Sequence, residues 1–419
     1  MSRARTYHSG STVDLLLQCG LYLMVASIPF EYPERSIPLE IPTLTAAVFL
    51  LGTLLHPARC YGRLPSSVIW FAVYLLVFLL STIAGGDHVS DAVSEFIVVL
   101  QGVLVLLAAG SLLQEQKVAT RAMTAFVAAC ALRASLPFLG FARTSSAVWT
   151  GGERVSALGQ NANSAAMILA AGGVTLIGLA LAHRYKSGPG LVLVTALGGL
   201  IGFAVLETGS RGGLLALVGG VLVFTLAADT PRVRLRNALI GVVAISLLIV
   251  GTLHLPVMKN RWEESMRTGN MAGREQLYPA LWTMFLEKPV LGWGPVTNTY
   301  ELASRIGERE RPARAAHNIL LELLTATGVA GALPFLVGAW LCTRDAWRSR
   351  RGAYGVLPLA LCCSVFLSNM SGDWIASKLI WLVLGIAFAS ARWSQAVLSL
   401  PSSRLGPFAL ATPAPRRGF

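Results

Sequence analysis

Apolar runs of about 17–25 residues, the length that crosses a hydrocarbon core as a helix, recur along nearly the whole chain. Twelve can be read, at roughly 13–29, 38–55, 68–84, 91–113, 118–139, 162–183, 190–206, 211–228, 236–255, 318–342, 353–370 and 374–392. A soluble domain carries about 25% charged residues. Here 13% are charged and 54% hydrophobic, with a mean hydropathy of +0.62. Inside a bilayer every backbone polar group needs a partner within the chain, and runs of this length satisfy that as helices. The expected fold is therefore all-α, a polytopic membrane protein of about 12 transmembrane helices with one large outer segment containing short helices. That divides the chain into helices 1–9 over 1–255, the outer segment over 256–316, helices 10–12 over 317–392 and a Pro-, Ser- and Ala-rich cytoplasmic tail over 393–419, expected to be disordered. The polar start Met1–Thr12 leads into a span with no small-residue cleavage site behind it, so no removable signal is expected.

Charge sets the expected orientation. With the N-terminus in the cytoplasm, nineteen Lys and Arg fall on the cytoplasmic side, whereas the short outer loops hold only Arg35, Arg143, Arg154 and Arg211. Both termini are then cytoplasmic. The same asymmetry accounts for most of the net charge of +13, so no nucleic-acid partner is implied. Cys19, Cys130, Cys362 and Cys363 fall within spans, and Cys60 and Cys342 at the cytoplasmic side. Neither a disulfide framework nor a metal-ligand spacing emerges, and no cofactor is expected.

Against that bias, nine cationic side chains crowd into residues 256–316. Three motifs face the same side. Arg154 to Asn163 leads into the sixth span, Glu207-Thr-Gly-Ser-Arg-Gly-Gly213 turns into the eighth, and Arg314-Ala-Ala-His-Asn318 leads into the tenth. All three spans run inward, so each presents a helix N-terminus, with free N–H groups and a positive dipole end, to the outer surface. Converging, they would bind a lipid phosphate or diphosphate. Blander readings stand beside this one: Gly209, Gly212 and Gly213 as a tight turn, Ser210, Asn161 and Asn163 as helix caps, Arg154 as a solvated partner of Glu153. Arg211 is harder to explain away, since an Arg opening an outer helix end runs against the usual charge distribution.

His317 is the candidate base, because histidine suits proton transfer near neutrality. If Arg314 shares a helical turn with it, the cation should keep the imidazole neutral. His254, in Thr-Leu-His-Leu-Pro without polar company, reads as structural. Within 256–316, Arg274 to Phe285 has apolar positions at helical spacing, with Pro279 tolerable only near the first turn. Leu291-Gly-Trp-Gly-Pro295 should break that helix, and Trp262, Trp282, Trp293 and Tyr300 read as anchors and core. Arg267, Arg274, Arg305, Arg309 and Arg311 are available to an acidic ligand.

At these residues the chain resembles the O-antigen ligase and polymerase superfamily, membrane enzymes that move glycans from a lipid carrier on the periplasmic face. The likeness rests on Gly-Ser-Arg-Gly-Gly at 209–213, on Pro-Val-Leu-Gly-Trp-Gly-Pro ending at Pro295, and on His-Asn-Ile-Leu-Leu-Glu-Leu-Leu opening at His317. It covers about 150–335; the first five spans match in hydropathy alone. The resemblance implies a bacterial inner-membrane enzyme with a periplasmic active site, so that 256–316 would be a periplasmic segment. The donor would be an undecaprenyl diphosphate-linked glycan and, for a ligase, the acceptor a sugar hydroxyl of lipid A-core. The single dominant outer loop is more like a ligase than a polymerase. Arg154, Arg211, Arg274 and Arg314 would hold the departing diphosphate, with His317 and Arg211 catalytic and Asn161 and Asn318 positioning. Direct displacement would invert the anomeric centre without a metal. The oligomeric state is left open. A rival reading is a transporter or flippase of lipid-linked sugars, for which span interiors offer little beyond Arg133, within the fifth span, and Lys378, close to an outer end.

Overall fold

The computed structural model describes residues 12–31, 40–62, 64–146, 153–158, 160–183, 188–269, 272–308, 312–372 and 374–398. In chain order the elements are α1 (Thr12–Ser27), α2 (Ile41–Thr53), α3 (Pro57–Tyr61), α4 (Ser66–Gly85), α5 (Val89–Leu112), α6 (Gln116–Ser135), β1 (Ala142–Ser146) and β2 (Glu153–Ala157). Then follow α7 (Ala162–His183), α8 (Gly188–Glu207), α9 (Arg211–Leu226), α10 (Pro231–His254), α11 (Pro256–Thr268), α12 (Arg274–Glu287) and α13 (Thr297–Arg305). The last three are α14 (Ile319–Arg348), α15 (Leu357–Asn369) and α16 (Lys378–Leu398). Each of the twelve apolar runs contains a helix. Among the described residues eight helices are long and apolar enough to cross a membrane, and α2, α9 and α15 are shorter apolar helices. The outer faces of α8 and α10 leave Leu191, Val192, Leu235, Leu239, Val242 and Leu247 exposed, as a lipid-facing surface requires.

The all-α expectation holds, since helices dominate and the strands among the described residues form one short hairpin: β1 and β2 pair antiparallel, with Ser145 opposite Arg154. Five residues a side, mostly small and polar, carry too little alternation to read as strands. Past the expected span end at 392, α16 continues to Leu398, and residues 399–419 lie outside the described residues.

The helices pack through small residues, which let backbones approach. A Cβ at Gly102 would lie 2.2 Å from Trp381, and one at Gly213 would lie 2.3 Å from the Cβ of Ala166. Phe71, Tyr74, Phe335 and Trp381 meet edge to face in the middle of the bundle. Glu31, Lys378 and Arg133 are buried charges with partners in the bundle. Glu31 accepts from Ser377 Oγ at 2.6 Å and from the backbone N–H of Lys378 at 2.9 Å, with the Lys378 ammonium 3.9 Å away. The carbonyl of Glu31 accepts from Gln160, whose own side-chain oxygen accepts from Arg133 at 2.6 Å.

The 256–316 segment holds α11, α12 and α13, and its return to the bundle explains the Pro-Val-Leu-Gly-Trp-Gly pattern. In α14 the backbone breaks at Gly328, which has φ +62. In an unbroken helix Thr325 and Ala326 carbonyls would accept from Val329 and Ala330. Instead they accept from the N–H groups of Trp293, at 2.8 Å, and Gly294, at 3.0 Å. Val329 and Ala330 donate to the carbonyls of Pro289, at 2.9 Å, and Val290, at 3.1 Å. Residues 289–294 are thus inserted into the helix ladder, and no broken bond is left unmet. Ser81 of α4 closes the junction by donating to the Ala326 carbonyl at 2.8 Å and to that of Leu291.

Gly328 is required here twice over: its φ is left-handed, and a Cβ would come 2.1 Å from the Val290 carbonyl oxygen. Left-handed backbone alone costs a non-glycine residue roughly 1–2 kcal/mol, before any displacement of 289–294. Gly328→Ala should therefore lower the melting temperature of the solubilised protein clearly. Gly188→Ala, at a position with open space around it, should leave it within about 1 °C of wild type, because exposed changes fall within about ±0.5 kcal/mol.

Candidate active site

The expected helix ends do assemble at one end of the bundle, and each is capped by its own residue. The Asn161 side chain accepts from Asn163 N at 2.7 Å ahead of α7. Ser210 accepts from Gly213 N at 3.2 Å ahead of α9. Asn318 accepts from Leu320 N and Leu321 N at 3.0 and 3.2 Å ahead of α14. The cap reading of these residues holds.

Contacts run continuously from one end to the next. Arg154 on β2 donates to the Thr208 carbonyl at 2.8 Å and to Asn163 Oδ1 at 2.7 Å, joining the start of α7 to the end of α8. Gly209 then turns the chain with φ +62. A Cβ at Gly212 would lie 1.9 Å from Ser371 Oγ, so α9 and the loop after α15 touch only because Gly212 has no side chain. Arg274 donates to the Ser371 carbonyl at 3.1 Å. One helical turn on, the Tyr278 hydroxyl lies 3.3 Å from the Met370 carbonyl and 3.4 Å from that of His317.

His317 itself has φ +52, an uncommon conformation outside glycine that places it on a sharp corner between an irregular strand of chain and the Asn318 cap. Residues 312–318 are not helical. Arg314 and His317 therefore do not share a helical turn. The left-handed His317 followed by an extended Asn318 delays the helix until Ile319.

The cations sort into two kinds. Arg305 donates to Glu287 at 2.5 and 2.7 Å and to Glu301 at 2.7 Å, and hydrogen bonding to Glu287 raises its pKa further. Arg267 pairs with Glu264 at 2.9 Å. Arg314 is buried beside Glu308, at 3.4 Å, and its backbone N–H donates to Thr299 of the α13 helix. Arg267 and Arg305 thus have acids beside them; Arg309 and Arg311 lie outside the described residues. Arg211, Arg261 and Arg274 are different: they act on one another. Burial first, then the charges of Arg211 and Arg274, push the Arg261 guanidinium down to about 10. The Arg211 guanidinium also lies 6.0 Å from the Trp262 ring centre, the outer limit of a cation–π contact.

Arg261, Tyr278 and the 370–371 loop were missed in the sequence. Arg261 follows Met258 by one turn on the buried side of α11, so a cation on that apolar stripe was the available signal. Nothing local marks residues 370–371. Pro279 falls in the second turn of α12, not its first, because burial of Leu277, Leu281 and Met284 outweighs the lost bond. Among the described residues no group of three or more His, Cys, Asp and Glu side chains is placed to hold a metal ion.

Residues 191–336 match the family model described as O-antigen ligase. The match supports assignment to the O-antigen ligase superfamily. It runs from α8 into α14 and so takes in Arg211, Arg261, Arg274, Arg314, His317 and Asn318, but neither Arg154 nor Asn161. Members of this family are membrane glycosyltransferase-like enzymes. No curated protein matches the chain.

Proposed function

We propose that this protein is an O-antigen ligase, transferring a glycan from undecaprenyl diphosphate to a sugar hydroxyl of lipid A-core on the periplasmic face of the bacterial inner membrane. The observation that carries this is the arginine cluster of α9, α11 and α12, joined through Tyr278 to the strained corner at His317. A lipid diphosphate is already a good leaving group, so the reaction needs charge stabilisation and alignment more than a protonating acid. Arg211 and Arg274, with Arg154 beside them, would hold the diphosphate; the guanidinium fork suits phosphate oxygens bidentately. His317 would take the proton of the acceptor hydroxyl as it attacks the anomeric carbon, with inversion and without a metal. Arg314 stays in this reading as a support of the His317 corner. The flippase reading is disfavoured because Arg133 and Lys378, the charges it would use for coupling, are engaged by Gln160 and Glu31.

Arg211→Lys keeps the charge and loses the fork. Transfer by the reconstituted enzyme should fall roughly 10- to 1,000-fold, the loss of a transition-state contact worth about 2–4 kcal/mol. Wild-type turnover in a well-inserted Arg211→Ala protein would exclude the clamp.

His317→Ala should abolish transfer while donor binding persists, and His317→Gln should stay partly active if orientation, and not proton removal, is the contribution. An active His317→Ala enzyme removes the side chain from the chemistry.

Ligase and polymerase share the donor and differ in the acceptor. Deleting the gene should leave lipid-linked polymer of normal length with none attached to lipopolysaccharide. Single repeat units capped onto lipid A-core would identify a polymerase instead. In vitro, the purified protein should join a lipid diphosphate glycan to rough lipopolysaccharide in detergent, with no bilayer for a flippase to work across.

A further inference from the structure

Arg261 is the most enclosed member of the arginine cluster, with 6% of its surface exposed. It comes from α11, whereas Arg154, Arg211 and Arg274 come from β2, α9 and α12. Three helices therefore bring guanidinium groups to one place, with the Arg154 stem beside Arg261. Gly209 is where two of these arginines meet: a Cβ there would lie 3.0 Å from Arg261 Cδ and 3.7 Å from Arg154 Cγ. Glu275 is the acid that acts on Arg211 within this group. Gathering like charges in a partly buried site raises the energy of the ligand-free protein. A bound anion reverses that sign, and the gain from each added cation grows with the charge on the anion.

We propose that Arg261 is a specificity-determining residue of the donor site, making it select a lipid diphosphate over the monophosphate of the same lipid. This rests on the reading of the cluster as a diphosphate site. Two guanidinium forks suffice for one phosphate group, and a further buried cation adds most when the headgroup carries the larger charge. At neutral pH the Arg261 side chain remains protonated, since burial and its neighbours bring it down only to about 10. The same depression says that its charge costs the empty protein stability: the charged form is less favoured in the folded state than in the unfolded one.

The test uses the full-length protein in detergent, with a polyprenyl diphosphate and the polyprenyl monophosphate of equal chain length as probes. Arg261→Gln should weaken diphosphate binding by about 10- to 100-fold, the range expected on losing a hydrogen bond to a charged group, and should weaken monophosphate binding at least several-fold less. Arg261→Lys should recover part of the selectivity. Ligand-free Arg261→Gln should melt no lower than wild type, since it removes one of the mutually repelling charges; a purely structural arginine would give a lower melting temperature. Equal losses for both headgroups, unchanged diphosphate binding, or a ligand-free variant that melts lower each overturn the proposal. Arg211→Gln separates the two levels of inference. If it loses diphosphate binding and Arg261→Gln does not, the donor site stands and the role of Arg261 fails. If wild-type protein binds no diphosphate, the donor reading fails and this proposal with it.

Discussion

Every backbone donor and acceptor in so apolar a chain has to be met from within the chain, and the break in α14 at Gly328 is where that constraint shapes the rest. A helix that stops and restarts inside an apolar bundle exposes carbonyls and N–H groups that hydrocarbon cannot satisfy. Residues 289–294 satisfy them, two donors and two acceptors at a time. The consequence reaches well beyond the junction. This inserted segment connects α12 to α13, so both short helices are fixed against the bundle. With α12 fixed, Arg274 can reach Ser371 and Tyr278 can lie between Met370 and His317.

Around that anchor the protein distributes its positive charge unevenly. Arg267, Arg305 and Arg314 have carboxylates beside them and serve the architecture of the 256–316 segment. Arg211, Arg261 and Arg274 are set against one another, with Glu275 the acid acting within the group. Concentrating guanidinium groups in this way is unfavourable for the empty protein and favourable for a polyanion, and that difference motivates the proposed donor site. Glycines make the concentration possible. Gly209 gives up a side chain where Val257 and Arg261 approach, and Gly212 and Gly213 do so where Ser371 and Ala166 come closest.

At some distance from the arginines, the Glu31–Lys378 pair ties the end of α1 to the start of α16, and Gln160 carries the connection to Arg133 and the approach to α7. Removing one partner of such a pair is costly because the other is left as a buried charge. Glu31 and Lys378 are 347 residues apart. Lys378 read as a charge near a span end, and nothing nearby pointed to its partner.

Much of the architecture was legible because a bilayer admits few solutions. Hydropathy alone located a helix in each apolar run, and the charge excess drew attention to 256–316. Local chemistry was legible too: Ser210 and the asparagines cap the helices that follow them, as short polar side chains at such positions do. Pairings between distant positions were not. Arg305 and Arg274 look alike in the sequence, yet one is engaged by Glu287 and Glu301 and the other belongs to the arginine cluster. Arg314 and His317 stand three residues apart, but a left-handed residue and an N-cap keep them off a common turn. Residue type and periodicity are properties of a neighbourhood in the chain, so the sequence by itself determined the helices, their caps and the supply of cations. Which cation meets an acid, and which meets another cation, depends on contacts between α9, α11, α12 and the 370–371 loop, and packing in three dimensions alone decided that.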